Sequence, residues 1–219
     1  MSCPRPSYGE LTAVLLTGLG HVALELLGAR AGPRAGALRR PEQAYNAIAS
    51  VLWCGYVLWR ALGSPGMLRA WGFRTDNFAR ALKPTALFAG VAAFPLLLYG
   101  TWRARLPLPP TFYLLLLLYP LWGLAQQFAL QALITKNLRA AVPALPLRAP
   151  AAALLFSAAH FPNYPLMILT FGAGLGFTWL HEKHRNLWAV GLAHGLLGAL
   201  AYYLVLGQDP GADILELIP

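Results

Sequence analysis

The sequence predicts an all-α integral membrane protein, a bundle of about seven to eight transmembrane helices. Its residues are 58% hydrophobic and only 11% charged, with a mean hydropathy of +0.53. A soluble domain carries about 25% charged residues, so this chain has too few to cover a soluble globule. The apolar residues also gather into stretches near the ~20 residues that a helix needs to cross a bilayer.

The first such stretch is Leu11–Gly28. Ala29-Arg30-Ala31 behind it has the small-x-small form of a cleavage site, but Glu10, His21 and Glu25 interrupt the run and only Arg5 is basic before it, so a retained span fits better than a signal peptide. The second is Tyr45–Leu62. Between Gly66 and Lys83, Leu68, Trp71, Phe73 and Phe78 mix with Arg69, Arg74 and Arg80, which suits a helix lying in the membrane interface. The third and fourth, Pro84–Trp102 and Phe112–Ile134, carry Pro95 and Pro120, where kinks are expected. The fifth and sixth, Ala151–His160 and Leu166–Leu180, are short and parted by Phe161-Pro162-Asn163-Tyr164-Pro165; they read as two short spans or a broken hairpin. The seventh is Leu187–Leu206, followed by a short acidic tail from Gln208 to Pro219. Trp53, Trp59, Trp71, Trp102 and Tyr113 sit near span ends as interface anchors do. With no repeat and no low-complexity block, one membrane domain accounts for residues 1–219.

Seventeen Lys and Arg against 8 Asp and Glu give a net charge of +9. These cations are scattered through the loops and form no stripe, so they anchor spans and exclude a nucleic-acid surface. Arg69, Arg74, Arg80, Lys83, Lys136, Arg139, Arg148, Lys183 and Arg185 favour a cytoplasmic N-terminus, against Arg30, Arg34, Arg39 and Arg40 in the first loop. Cys3 and Cys54 support neither a disulfide framework nor a cysteine metal site.

Polar side chains inside a span are functional candidates because lipid makes them expensive. His160, His194, Gln126, Gln127 and Gln131 qualify, on three separate segments. At about 1.5 Å per residue, Gln127 and His194 both lie roughly 10 Å below one surface, and His160 roughly 14 Å. Gln127 and Gln131 share a helix face, as do Phe156 and His160. Gly191, Gly195 and Gly198 around His194, and Gly172, Gly174 and Gly176 on the sixth helix, allow close packing. Each histidine alone reads equally well as a structural hydrogen-bonding group, and the amides read more readily as interhelical glue. His181-Glu182-Lys183-His184 has the wrong spacing for a HExxH site and reads as a solvated basic loop. Glu25 either pairs with His21 or reaches the site.

In this order and on these helices, the three clusters resemble the CAAX-protease and bacteriocin-processing (CPBP) family of intramembrane proteases. That family carries EExxxR, FxxxH and a final histidine followed four residues later by Asn, Asp or a small residue. Phe156-Ser157-Ala158-Ala159-His160 matches the second motif. Phe171, Gly172, Gly176, Asn186-Leu187-Trp188 and Ala193-His194 resemble the run into the third, with Gly198 at its small-residue position. The resemblance covers 112–206, about Phe112 to Leu206, and departs at the first motif: Gln126 and Gln127 replace the paired glutamates, and Gln131 the arginine. In the family a glutamate serves as general base; a neutral amide cannot accept that proton. Loss of both partners of a buried ion pair together avoids an uncompensated charge, as a maintained neutral pocket requires.

The resemblance implies an intramembrane endopeptidase with an altered site. His160, His194, Gln126 and Gln127 would stand at the reacting bond, and Gln131, Phe156 and Gly198 against the substrate. It equally allows a non-catalytic relative that binds membrane peptides as an immunity, scaffold or chaperone-like protein. A transporter or haem protein fits poorly, for no ion pathway or paired-helix histidine pattern is present. The expected partners are a membrane-anchored protein or peptide and the lipid bilayer. No cofactor is implied, and a divalent metal between His160 and His194 stays open. The Ala-, Arg- and Leu-rich composition suggests a bacterial inner membrane.

Overall fold

The computed structural model describes residues 6–31 and 41–215. Cys3, Arg5, the loop arginines Arg34, Arg39 and Arg40, and residues 216–219 of the acidic tail lie outside them. Among the described residues there is no strand. The helices are α1 (Tyr8–Ala31), α2 (Pro41–Gly63), α3 (Met67–Trp71), α4 (Phe78–Trp102), α5 (Pro110–Phe128), α6 (Lys136–Leu138), α7 (Leu145–Ala158), α8 (Tyr164–His184), α9 (Leu187–Leu200) and α10 (Pro210–Leu215). Two stretches are π-helical: π1 (Ala129–Thr135) joins α5 to α6, and π2 (Ala201–Leu206) extends α9.

Among the described residues, four helices are long and apolar enough to cross a membrane: Tyr8–Leu27, Phe78–Trp102, Pro110–Leu138 and Leu187–Leu206. Helices also form at the three other expected places, as α2, α7 and α8. The α9–π2 span is the centre of the bundle, with 67% of its window buried against 6% for α1. Its partner is α5, and glycines set how closely they approach. A Cβ on Gly123 would lie 2.6 Å from the Gly191 carbonyl oxygen, and one on Gly195 would lie 2.7 Å from the Pro120 backbone. The two backbones therefore touch, as small residues permit in membranes. Leu16, Leu52, Leu87, Leu117, Leu147 and Leu154 are exposed and lie outside the lining of the bundle's cavity, the polarity that lipid selects.

Several expectations need correction. The supposed interface helix is the short α3 followed by the start of α4, and Trp71 is a core residue at 2% exposure rather than an interface anchor. The fifth helix begins at Leu145, before the expected Ala151, and ends at Ala158, so His160 lies in the turn beyond it. The sixth is not short: α8 spans 21 residues, capped at its start by Asn163 Oδ1, which accepts from the Leu166 N–H at 3.1 Å. His181-Glu182-Lys183-His184 forms its last turn and is no loop. Glu182 there binds Arg139 at 2.8 Å, Arg148 at 3.2 Å and Arg185 at 3.6 Å, and this ion cluster from α6, α7 and the α8 cap draws the segment into the fold.

Asparagines fasten the ends that hold the site. Asn186 caps α9 by accepting from the Ala189 N–H at 3.0 Å, and its amide donates to the Arg74 carbonyl at 2.7 Å and to Asn77 Oδ1 at 2.8 Å. Asn77 in turn donates to the His184 carbonyl at 2.6 Å. On the α1 side, Glu10 accepts from Lys136, Tyr56 and, at 2.9 Å, Asn137, joining α1 and α2 to the end of α6.

Candidate functional site

Gln127 comes from the last turn of α5, Gln131 from π1, and His194 from the middle of α9; all three are buried. The π-helical winding continues directly from α5, and such stretches recur at functional sites. Gln127 Nε2 lies 2.8 Å from His194 Nδ1. Gln131 Nε2 donates to Gln127 Oε1 at 3.1 Å and to Thr178 Oγ1 of α8 at 3.4 Å. The sense of the chain fixes the tautomer. Gln127 presents its oxygen to Gln131, so its nitrogen faces His194 and Nδ1 must accept. The neutral imidazole then carries its hydrogen on Nε2.

His160 is set the opposite way. Its Nδ1 lies 2.9 Å from the Phe156 carbonyl oxygen, which can only accept, so Nδ1 carries the hydrogen and Nε2 keeps a lone pair. Phe156 stands between the rings, 5.0 Å from His160 and 5.8 Å from His194, edge-on to both. Phe177 stacks on His194 at 5.6 Å and 8°. One histidine thus offers an acceptor and the other a donor.

Both open into one cavity of about 1790 Å³, walled by α1, α2, α4, α5, α7, α8 and α9. Gln126, Phe156, His160, His194 and Gly198 line it, while Gln127 and Gln131 stand behind His194. Gly198 lets the Tyr119 ring pack against α9, since a Cβ there would lie 2.8 Å from that ring. Across the cavity, His21 holds Asn46 Oδ1 at 3.1 Å, and Glu25 shares that wall. Glu25 therefore reaches the cavity, one of the two alternatives its sequence position left open. Thr178, Phe177 and Asn46 were not singled out from sequence. Thr178 carried a signal, a hydroxyl on the glycine-rich helix; Phe177 carried none.

Among the described residues, no group of three His, Cys, Asp or Glu side chains is placed to hold a metal ion. His194 Nδ1 is also engaged by Gln127. The residues present do not fit a three-ligand metal site, and no chemistry is derived through one.

A helical bundle with apolar spans and a buried histidine–amide cluster opening on a cavity marks an integral membrane protein. Residues 107–200, slightly less than half the chain, match the family model described as type II CAAX prenyl endopeptidase Rce1-like, which supports the resemblance of this stretch to the CAAX-protease (CPBP) family. No curated protein and no solved structure matches it.

Proposed function

We propose that the protein is a CAAX-protease-like intramembrane endopeptidase that works without the family's carboxylate base. The observation that carries this reading is the complementary pair of ring nitrogens, a bare Nε2 on His160 and an Nε2–H on His194. His160 Nε2 takes a proton from water as its oxygen adds to the peptide carbonyl. His194 Nε2–H donates to the resulting oxyanion. His160 then returns the proton to the leaving amine, and the C–N bond breaks. Gln126 holds the substrate carbonyl or the water, Phe156 separates the two imidazoles, and Gly198, with Tyr119 packed on it, forms the wall against which the substrate chain lies. Gln127 and Gln131 keep His194 in its donor tautomer.

The substrate class is a membrane-anchored protein or peptide, taken into the apolar cavity between α1, α2 and the rest of the bundle. In this reading α2, α7 and α8 are embedded with the four apolar spans, residues 112–206 form the working core, and a bacterial plasma membrane is the setting.

The test is cleavage of membrane-anchored peptides by the protein in liposomes. His160→Ala is expected to lower kcat by about 10²-fold or more, the usual worth of a general base. His194→Ala should cost about 10²–10³-fold, as loss of an oxyanion donor does. The amides at positions 126 and 127 favour a second reading, a non-catalytic peptide binder. Saturable peptide binding by a wild type that cleaves nothing would establish it in place of the first.

A further inference from the structure

Unpartnered polar atoms in the protein interior are scarce, because each costs free energy comparable to a lost hydrogen bond. Among the described residues, all but Arg60 Nε and Arg148 Nε belong to four residues on π1, α8 and the end of α3. Gln131 Oε1, Thr135 Oγ1, both ring nitrogens of His181 and Trp71 Nε1 are all buried without a hydrogen-bond partner. Their residues are at most 2% exposed.

These residues follow one another through the fold. Gln131 and Thr135 lie four apart on π1, and Thr178 and His181 three apart on α8, which packs along π1. Residues at such spacings share a helix face. Gln131 already touches Thr178 at 3.4 Å, so the upper end of the row is tied to the Gln127–His194 chain. At the lower end His181 fits against Gly72, whose missing side chain makes the space: a Cβ there would lie 2.9 Å from His181 Nε2. Trp71 is the next residue and closes the row. The Trp71 carbonyl lies within reach of the imidazole and can engage one of its ring nitrogens, which leaves the other for a further partner. Beside His181, Glu182 and its arginines form the basic end of the bundle, where the Arg139 and Arg185 side chains are 29% and 27% exposed.

A neutral imidazole has one N–H and one lone pair, and the indole and hydroxyl add two more donors. No apolar filling satisfies such a set, whereas water gives and accepts hydrogen bonds at two to four partners at once. We propose that the row from Gln131 through Thr135, Thr178 and His181 to Trp71 is a hydrated file that brings water from the basic end of the bundle to the back of the His194 site. This rests on the hydrolytic reading above. Hydrolysis consumes one water for each bond cut, and a substrate filling the wide cavity blocks the direct way in. Water passing behind Gln127 reaches the site from the side that the substrate leaves free.

Radiolytic hydroxyl-radical footprinting of the full chain in liposomes tests the file, because radicals formed from bound water mark the side chains that hold it. Trp71 and His181 should be labelled although buried, while Phe177 and Leu115, equally buried but apolar, stay unmarked. His181→Leu should abolish the Trp71 label. Thr135→Val supplies a second readout. If water bridges the hydroxyl, the variant melts lower by ~3 °C; if the row is dry, removing an orphaned group raises the melting temperature by a similar amount. An unlabelled Trp71 and His181, or a Thr135→Val variant that melts higher, overturns the proposal. Neither readout needs turnover, so an inactive wild type would sink the peptidase reading and leave the hydrated file to stand or fall by itself.

Discussion

At the scale of single residues, the site depends on which atom of each amide faces which ring. Gln127 is fully buried between Gln131 and His194. Gln127→Leu strips His194 Nδ1 of its donor and should cost about 1–3 kcal/mol in a thermal or denaturant melt; an unchanged melt would show that the bond carries no weight. Gln127→Glu is expected to be worse, by about 3 kcal/mol, since a carboxylate would sit among neutral groups. Adding Gln131→Arg to it should recover most of the loss, and a double variant no more stable than the single would refute that pairing. These residues were legible in the sequence because lipid makes a polar side chain conspicuous. His181 was not: Glu182, Lys183 and His184 beside it read as a solvated loop. Its burial is decided by Arg139 and Arg148, which arrive from other helices to neutralise Glu182.

At the scale of elements, helices stand at all seven apolar stretches, and four of them, among the described residues, are long and apolar enough to cross a membrane, where a helix satisfies its own backbone. Their ends were harder to read. α7 starts early because Pro146 is accommodated in its first turn, where no backbone donor is needed, and α8 because Asn163 caps it. No sequence signal marked the π-helical winding of π1, which answers to packing against α7 and α8 rather than to composition. The junction of α5 with α9 is the most demanding. Gly195→Leu would force a side chain into the Pro120 backbone, and we expect no folded protein by size-exclusion chromatography, where Gly172→Ala, with open space at its Cβ, should behave as wild type. Lys136→Met, which leaves Glu10 buried beside Asn137 and Tyr56 without its main counter-charge, should cost about 3–5 kcal/mol in chemical denaturation. A smaller loss would mean that Arg60, 3.9 Å from Glu10, takes over the charge.

At the scale of the whole molecule, acid should loosen the end that carries α10. Burial pushes the Asp209 carboxyl up, but hydrogen bonds from Tyr203, Thr111 (2.7 Å) and the Ala212 N–H (2.9 Å) outweigh it and hold it below the ordinary carboxylate range. A depressed folded-state pKa means stability that is present above about pH 3.9 and lost as the pH falls through that region. Asp209→Asn should flatten this part of the stability profile, and an equally steep acid limb in the variant would assign it elsewhere. The membrane class and the order of the spans could be read from composition and spacing. The way α1 and α2 enclose the cavity could not: Thr17, His21, Glu25, Asn46 and Ser50 mark their inward faces as polar, but the sequence does not say which helices those faces meet. Those two helices are cross-linked to each other through Tyr45 and the Thr17 carbonyl at 2.9 Å and through Trp53 and Thr17 Oγ1 at 3.2 Å, and among the described residues Glu10 grips the bundle near the start of α1. A pair of rods braced together and pinned at one end behaves as a door on its hinge. Its free edge should swing widest beyond His21, so spin labels at Leu27 and Leu154, both exposed, would spread apart when a long-chain substrate enters, and a fixed separation would leave the door shut.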